Sequence, residues 1–399
     1  MTHHRWAFGD LATGRIRRLV DDVDGSWSVA YDDADSLDVS IRTRAVGPRR
    51  QNGVVRAPDA WPDVRLHTAP ARCFCAVAAV DDRGGETWLA GGPVWSRQYD
   101  DDTGVLRVGA AGLESYWRRR LVLPVLATGQ LPTAVRSRWT GAQLGLIAKR
   151  LIQQAQEWTG GALPVDLPTD AEVGGAGTAH ERTYEGFELK VVGDMLDNLR
   201  DVEGGPEVQF VPYRRTDDPR YLRWRMRVGV AATQMMITQT GRPWILDRTV
   251  GRSPVLAVST GEDGSVLASD VYATGSGDGQ ARPMARAAST TLTAAGYPLL
   301  EAVATGSDAI TPANLSAYAA GQLGARSAPA QITTIKADRD AWWRRAPSAR
   351  PGDMAILRIA DHPLLAPDGA PAEIPLRILG LKGGGSTVDV ATAERAGRL

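Results

Sequence analysis

The sequence predicts a mainly β fold with a helical insert, an α+β arrangement in which two small barrel-like or sandwich-like β modules flank a helical region. Short alternating segments, separated by turns about every 8–12 residues, occupy the first 112 positions. Apolar residues then recur at helical spacing to position 205, and alternation returns from position 206. We therefore divide the chain into residues 1–112, 113–205, 206–285 and 286–399, the last two forming one β module.

The first module is predicted from short strands joined by polar turns. Residues 26–31 and 37–41 alternate around one turn, and residues 73–80 and 86–90 flank another. Gly91-Gly92-Pro93 indicates a break in the chain. Residues 94–99 then form a strand that returns through an Asp-rich turn as an antiparallel strand over residues 105–110.

The helical region is predicted from the spacing of its apolar residues. Leu113, Trp117 and Leu121 recur at helical intervals. Thr140 and Gln143 fit a capping box for a helix that ends at Gly160-Gly161. A second amphipathic helix has an apolar stripe formed by Phe187, Val191, Met195, Leu199 and Val202. Each helix has a single apolar stripe, so each must pack on another element.

The second module is predicted from further alternating segments and an internal helix. Its strands are expected at residues 208–212, 221–228, 254–260, 265–274, 332–337, 354–359, 373–381 and 387–391. Thr311-Pro312 begins a helix, with proline at the first helical position. Pro351-Gly352-Asp353 forms a turn between two of the closing strands.

The composition excludes several classes of protein. Lys and Arg number 46 and balance 46 Asp and Glu, which argues against a nucleic-acid-binding protein with a basic surface. Cys73 and Cys75 share one strand face and are expected to be small core residues. No apolar run reaches the roughly 18 residues of a membrane span, and the N-terminus lacks a signal-peptide pattern. We expect a soluble chain without membrane insertion.

The residues that could carry chemistry do not form a recognisable catalytic set. None of the five histidines has metal-ligand spacing, and the Asp clusters lie in predicted turns. The Gly-rich stretch at residues 275–279 lacks the surroundings of a dinucleotide-binding loop. His180, near Glu181 and Asp170, is the remaining candidate acid/base group. We expect no catalytic residues, no cofactor and no metal site.

The aromatic residues point instead to protein contacts. The chain has 12 tryptophans, and aromatic rings with a polar atom favour subunit interfaces. Trp95, Arg97 and Tyr99 lie on one face of a predicted strand. Trp342 and Trp343 precede two arginines and are candidates for an exposed contact surface, although one ring could lie in the core and the other at its rim.

Three stretches resemble the minor tail proteins of actinobacterial siphophages, the group that forms the tail-tip or baseplate hub. They are residues 25–28 with 35–37, residues 92–104, and residues 184–206, and the turn at residues 351–353 also fits. The resemblance spans most of the chain, but its motifs are structural. It implies a trimeric ring under the tail tube, in which two barrel-like domains per subunit match a hexameric tube. It supplies no catalytic residues.

These observations lead to the hypothesis of an oligomeric adaptor between the tail tube or distal tail protein and the downstream tail-tip or receptor-binding proteins. We expect its lumen to be poor in arginine, since cationic side chains would hold passing phosphates. The tape measure protein and DNA would pass through it. We expect assembly in the host cytoplasm and a final location in the virion. The alternatives are a hexameric distal tail ring protein, a tail-associated cell-wall hydrolase using His180 or Asp170, and a carbohydrate-binding module.

Overall fold

The computed structural model of the protein describes residues 3–21, 23–31, 34–43, 49–51, 54–56, 61, 63–174, 179–202, 205–229, 242–251, 253–275, 277, 279–305 and 312–394. The first region contains β1 (His3–Asp10), β2 (Ile16–Asp21), β3 (Asp24–Ala30), β4 (Ser36–Arg42), β5 (Arg49–Gln51), β6 (Val54–Arg56), α1 (Val64–His67), β7 (Cys73–Val80), β8 (Glu86–Asp100) and β9 (Val105–Ala111). The middle region contains α2 (Glu114–Trp117), β10 (Arg136–Ala142), α3 (Leu144–Gln156), β11 (Val165–Asp166), α4 (Asp170–Val173), β12 (His180–Glu185), α5 (Val192–Arg200), β13 (Glu207–Arg214) and β14 (Leu222–Gly229).

The last region continues the β structure. It contains β15 (Trp244–Asp247), β16 (Val255–Asp263), β17 (Asp270–Thr274), β18 (Met284–Ala288), α6 (Thr291–Ala294), β19 (Glu301–Thr305), α7 (Pro312–Ala325), β20 (Ala330–Asp338), α8 (Arg339–Arg345), β21 (Met354–Ile359), β22 (Ala372–Gly384) and β23 (Thr387–Glu394). The mainly β fold with a few helices is confirmed. The division at residues 112, 205 and 285 remains a prediction.

One large sheet joins both ends of the chain. Its strand order is β16-β20-β23-β22-β3-β4-β9-β8-β7-β1-β2, and β21 and β15 extend it from β22. The pairing of β3 with β22 links the first region directly to the last. Among the described residues the sheet does not close into a barrel.

This sheet contains two corresponding four-stranded sections. The first section consists of β3, β4, β9 and the second half of β8, and the second section consists of β16, β20, β23 and the second half of β22. In each, a long strand carries a bulge, at Val94–Ser96 in β8 and at Ile378–Gly380 in β22. Five residues then pair with the next strand before the hairpin turn, residues 96–100 in β8 and 380–384 in β22. The two sections therefore repeat one arrangement.

The junction between the sections depends on a glycine. Gly383 of β22 lies opposite Trp27 of β3, and a Cβ atom on Gly383 would lie 2.4 Å from the buried Trp27 ring. Only a residue without a side chain leaves room for the indole here. Trp27 is 1% exposed and packs against Trp343 at a centroid distance of 6.1 Å.

Two large clusters of apolar residues fill the interior. One lies under both sections and combines β1 and β7 with β3, β4, β9 and the closing strands. Cys75 belongs to this cluster and Cys73 is also buried there, as expected for free core cysteines. The other cluster joins α3 and α5 to the opposite face of β7 and to β13 and β14. Trp224 bridges the layers, because its Nε1 donates to the Gly91 oxygen at 2.8 Å.

Three local predictions are wrong. The expected break at Gly91-Gly92-Pro93 is continuous strand, because a Cβ on Gly92 would lie 2.2 Å from the Ala111 oxygen and glycine permits this close approach. Thr140, the expected N-cap, lies in β10, whose Ala142 pairs with His180, and the N-cap residue of α3 is Gln143, which provides no side-chain cap hydrogen bond. Phe187 lies in a 3-10 turn and is 62% exposed, so the second helix begins only at Val192.

The segment between β16 and β20 forms a small separate layer. β17 pairs with β18 and β19, and α7 covers the alanine-rich face of these strands through Leu315 and Ala319. Pro312 begins α7, which confirms the predicted helix, while Thr311 lies outside the described residues. This layer is an insertion that leaves β16 and β20 adjacent in the large sheet.

Candidate interaction surfaces

The two sections turn their apolar residues to the core and present the opposite face, here called the outer sheet face, away from it. Cross-strand rows define this face. One row runs through Gly384, Ser26, Asp38, Gly109 and Ser96. Another runs through Ser40, Arg107 and Gln98, and a third in the second section runs through Ser259, Thr334 and Ala391. The side chains in these rows are mostly small or polar on all eight strands, and the exposed Ile332, opposite Gly261, is an apolar residue on the same face.

Charges on the outer sheet face alternate in sign. Asp389 lies directly opposite Lys336 on one side and Lys382 on the other. In the first section, Asp38, Ser96 and Arg107 line an open depression. Because neighbouring positions carry opposite charges, the face lacks the continuous positive stripe that holds a nucleic-acid backbone. This arrangement suits a surface along which a polyanion moves without being retained.

Arg97 and Tyr99 share the opposite face of β8, but Trp95 lies in the bulge between Val94 and Ser96, so the predicted common face of all three residues is wrong. The Trp95 Nε1 donates to Ser115 Oγ at 2.8 Å, and the Arg119 guanidinium lies 5.6 Å from the Trp95 ring centroid. Arg97 Nη1 donates to the Arg65 oxygen at 2.7 Å. Tyr99 is 43% exposed. Trp95 and Arg97 are half-buried and Tyr99 is exposed, and the interface role of these residues remains a proposal.

Trp342 and Trp343 are not exposed, which corrects the predicted contact surface. They are 1% and 5% exposed and belong to the core beneath the two sections. Asp338 caps α8 by accepting a hydrogen bond from the Ala341 nitrogen at 2.8 Å. The short helix lies against β20 and β23, so both indole rings point into the subunit. The arginines that follow them, rather than the tryptophans, are exposed.

Arg350 is a structural residue that the sequence did not single out. It precedes the predicted turn at residues 351–353, and its Nη1 donates to the Leu89 oxygen at 2.9 Å while Nη2 donates to the Trp88 oxygen. Its backbone nitrogen and the Trp244 Nε1 both donate to Asp353 Oδ2, at 3.0 and 3.1 Å. Burial lowers the pKa of Arg350 to about 10. Nothing in sequence spacing distinguishes this arginine from the others.

The candidate acid/base residues are engaged in structural contacts. Asp170 pairs with Lys149 and, at 2.8 Å, with Arg150, and the hydrogen bond from Lys149 lowers the pKa of this carboxyl group. Burial and the nearby Arg182 lower the pKa of His180. A low carboxyl pKa is the opposite of what a general acid needs at neutral pH. The observation that suggested a hydrolase is therefore weakened.

The described part of the chain has neither a metal-ligand cluster nor a membrane-spanning helix. No group of three His, Cys, Asp or Glu side chains there could hold a metal ion. Of the helices the structure describes, none has the length and apolar character needed to cross a membrane. The Asp-rich turns are explained locally, since Asp81 Oδ1 accepts hydrogen bonds from the nitrogens of Arg83 and Gly85.

No family model matches the sequence, and no curated protein matches it. Solved structures do resemble it. The tail protein from Neisseria meningitidis MC58 has a TM-score of 0.55 and 14% identity, with 98% of this chain and 96% of that chain covered. The 43 kDa tail protein of prophage MuSo2 from Shewanella oneidensis has a TM-score of 0.54 and 10% identity, with 99% and 98% covered. Over nearly its whole length, this chain has the fold of these tail proteins.

Proposed function

We propose that this protein is a structural subunit of a phage tail tip, forming a hub ring between the tail tube and the distal host-binding or spike proteins. The fold shared with tail proteins supports a tail-associated structural role. The resemblance to siphophage hub proteins adds the finer assignment. The protein works by assembly and passage rather than by chemistry.

A single structural observation carries the proposal. The chain holds two corresponding four-stranded sections, already joined edge to edge through β3 and β22. Repetition of one unit by rotation is how closed rings are built. Three copies with two sections each supply six sections, which match a hexameric tube. A homotrimer is therefore the oligomer that we propose.

The outer sheet face is proposed to line the passage. Its small side chains, including Ser26, Gly109 and Ser259, leave a smooth surface, and its charges are balanced between neighbours. Phosphate groups bind strongly to clustered arginine and lysine side chains, so a balanced face lets DNA and the tape measure protein slide past. The tail tube or distal tail protein would bind one rim of the ring and the receptor-binding proteins the other.

The oligomeric state of the purified protein tests this proposal. We expect sedimentation velocity and native mass spectrometry to show a homotrimer that forms reversibly with concentration. A hexamer would favour the distal tail ring protein instead. A strict monomer at the highest attainable concentration contradicts the ring.

The hydrolase alternative has a separate test. Purified protein applied to a gel containing peptidoglycan should leave no cleared zone. Clearing that disappears in a His180→Ala or Asp170→Asn variant would replace the structural proposal with an enzymatic one.

A further inference from the structure

The two outermost strands of the eight-stranded surface have unpaired edges. β16 pairs with β20 on one side, and residues 96–100 of β8 pair with β9 on one side. No other strand in the described residues pairs with the second edge of either segment. An unpaired edge exposes a row of backbone donors and acceptors that readily accepts another strand. Each edge is therefore a potential docking site.

The junction within the chain shows what fits these edges. There, β3, which is one edge strand of the first section, pairs with β22, which is the bulged edge strand of the second section. The remaining edge strands are β16 in the second section and β8, the bulged strand, in the first section. We propose that β16 of one copy pairs with β8 of the next copy by repeating the β3–β22 junction. This inference rests on the proposed ring and identifies the contact that closes it.

Strand direction agrees with this pairing. Every neighbouring pair from β16 through to β8 is antiparallel, and the surface contains an even number of strands. β16 and β8 therefore run in opposite directions. A second copy related by rotation about an axis along the strands would place its β8 antiparallel to β16, continuing the alternation.

The correspondence also gives the register. Residues 380–384 of β22 face residues 30–26 of β3. Position by position along the paired strands, residues 96–100 of β8 correspond to 380–384, and residues 259–263 of β16 correspond to 26–30. Transferring the junction places Gln98 opposite Gly261 and Tyr99 opposite Thr260 of the next copy.

The transferred register also pairs opposite charges. Arg97 falls opposite Glu262, at the position where Leu381 faces Val29 within the chain. Glu262 is exposed, and Arg97 is half-buried. The acidic end of β16 consequently lies beside Arg97 and away from the Asp-rich turn that follows β8. A directly opposed pair of unlike charges stabilises an antiparallel pair, and like charges there destabilise it.

Cysteine cross-linking tests the register. Gln98 and Gly261 both lie on the outer sheet face, and a Cβ on Gly261 meets no atom within 4 Å. We expect the Gln98→Cys/Gly261→Cys variant to form disulfide-linked oligomers under mild oxidation. The control, Gln98→Cys/Ala257→Cys, moves one thiol four residues, about 13 Å, along β16 and should not cross-link. The native Cys73 and Cys75 are buried and do not compete.

Charge exchange provides the second readout. Glu262→Arg should weaken association several-fold without changing the thermal unfolding of the monomer, and adding Arg97→Glu to it should restore association. A closed ring without the Gln98–Gly261 cross-link overturns the edge pairing and leaves the proposed function standing. The cross-link in open filaments supports the pairing and contradicts the ring. A chain that never associates overturns both.

Discussion

Arg350 Nη1 donates a hydrogen bond to the main-chain oxygen of Leu89 at 2.9 Å, across 261 positions of sequence. Leu89 is the bulged residue between the β7–β8 pairs Val77–Ala90 and Ala78–Trp88, so its carbonyl lies outside the regular ladder. The buried guanidinium supplies the hydrogen bond that the bulge removes. The closing turn of the chain thereby fixes the point where β8 passes from one layer to the next.

Replacing Arg350 should therefore destabilise the whole subunit. Arg350→Met leaves the Trp88 and Leu89 carbonyls buried without this donor, and we expect a loss of about 3 kcal/mol in the free energy of unfolding. Urea denaturation measures it. The control, Arg344→Met, removes an exposed arginine from α8 and should change stability by less than about 0.5 kcal/mol. Equal effects of the two substitutions would contradict the structural role of Arg350.

The junction between the two sections should be sensitive to a single methyl group. Gly383→Ala places a Cβ between 2.4 and 2.7 Å from three atoms of the buried Trp27 indole, and we expect a loss of about 1–3 kcal/mol from overpacking. Gly384→Ala, one residue later, meets its nearest atom at 3.4 Å and serves as control. Thermal unfolding compares them, and unchanged stability of the Gly383 variant would refute the close packing described at this junction.

The β1–β2 pair should contribute to the dependence of stability on pH. Arg5 holds Asp21 through hydrogen bonds of 2.7 and 2.9 Å, and these lower the pKa of the Asp21 carboxyl below its ordinary value of 3.8. As the pH falls through 3.8, the Asp21 carboxylate is protonated in the unfolded chain before it is protonated in the folded chain. The stabilisation by the Arg5–Asp21 pair is therefore lost as the pH falls through the pKa of Asp21 in the folded protein.

Unfolding in urea at about pH 5 and about pH 3 measures this loss. Asp21→Asn should lose less stability on acidification than the native protein, and Arg5→Gln should behave in the same way. A native protein and variants with identical acid sensitivity would show that the pair makes no contribution. Because the Asp21 side chain is 41% exposed, the difference should be small and reduced by salt.

The outer sheet face should bind DNA when arginine side chains are introduced on it. Ser26 and Ser36 are exposed on it, and Ser26→Arg/Ser36→Arg adds two positive charges per subunit without touching the core. We expect the native ring to release duplex DNA at physiological salt and the variant ring to retain it in a salt-dependent manner. Fluorescence anisotropy with labelled DNA measures this, and Ser26→Asn/Ser36→Asn is the control. Tight binding by the native ring would argue against a passage surface.

The sequence predicted the local β structure better than the way the strands combine. Alternation located the hairpin over residues 94–110 and the strands near the C-terminus because one face of each is buried. The pairing of β3 with β22 joins residues about 350 positions apart, and no local pattern encodes such a partner. The correspondence between the two sections became visible only from strand register.

For the candidate interface residues and Arg350 as well, local geometry was easier to predict from the sequence than long-range packing. Arg97 and Tyr99 share one strand face, as their spacing predicted, whereas Trp95 does not, because the bulge at this residue interrupts the alternation and no local pattern indicates the bulge. Trp342 and Trp343 were predicted to be exposed because the sequence around them has weak periodicity, whereas the large core beneath the sections accommodates both rings. Arg350 was missed because its partners are main-chain carbonyls, which leave no trace in composition or spacing.

A cryo-EM reconstruction of the assembled oligomer tests the central claim most directly. It should show a closed ring in which Ser26, Asp38 and Ser259 face a central opening and each β16 lies beside the β8 of a neighbouring copy. An assembly whose outer sheet face is packed against another protein, or is turned to the outside of the particle, would contradict the account.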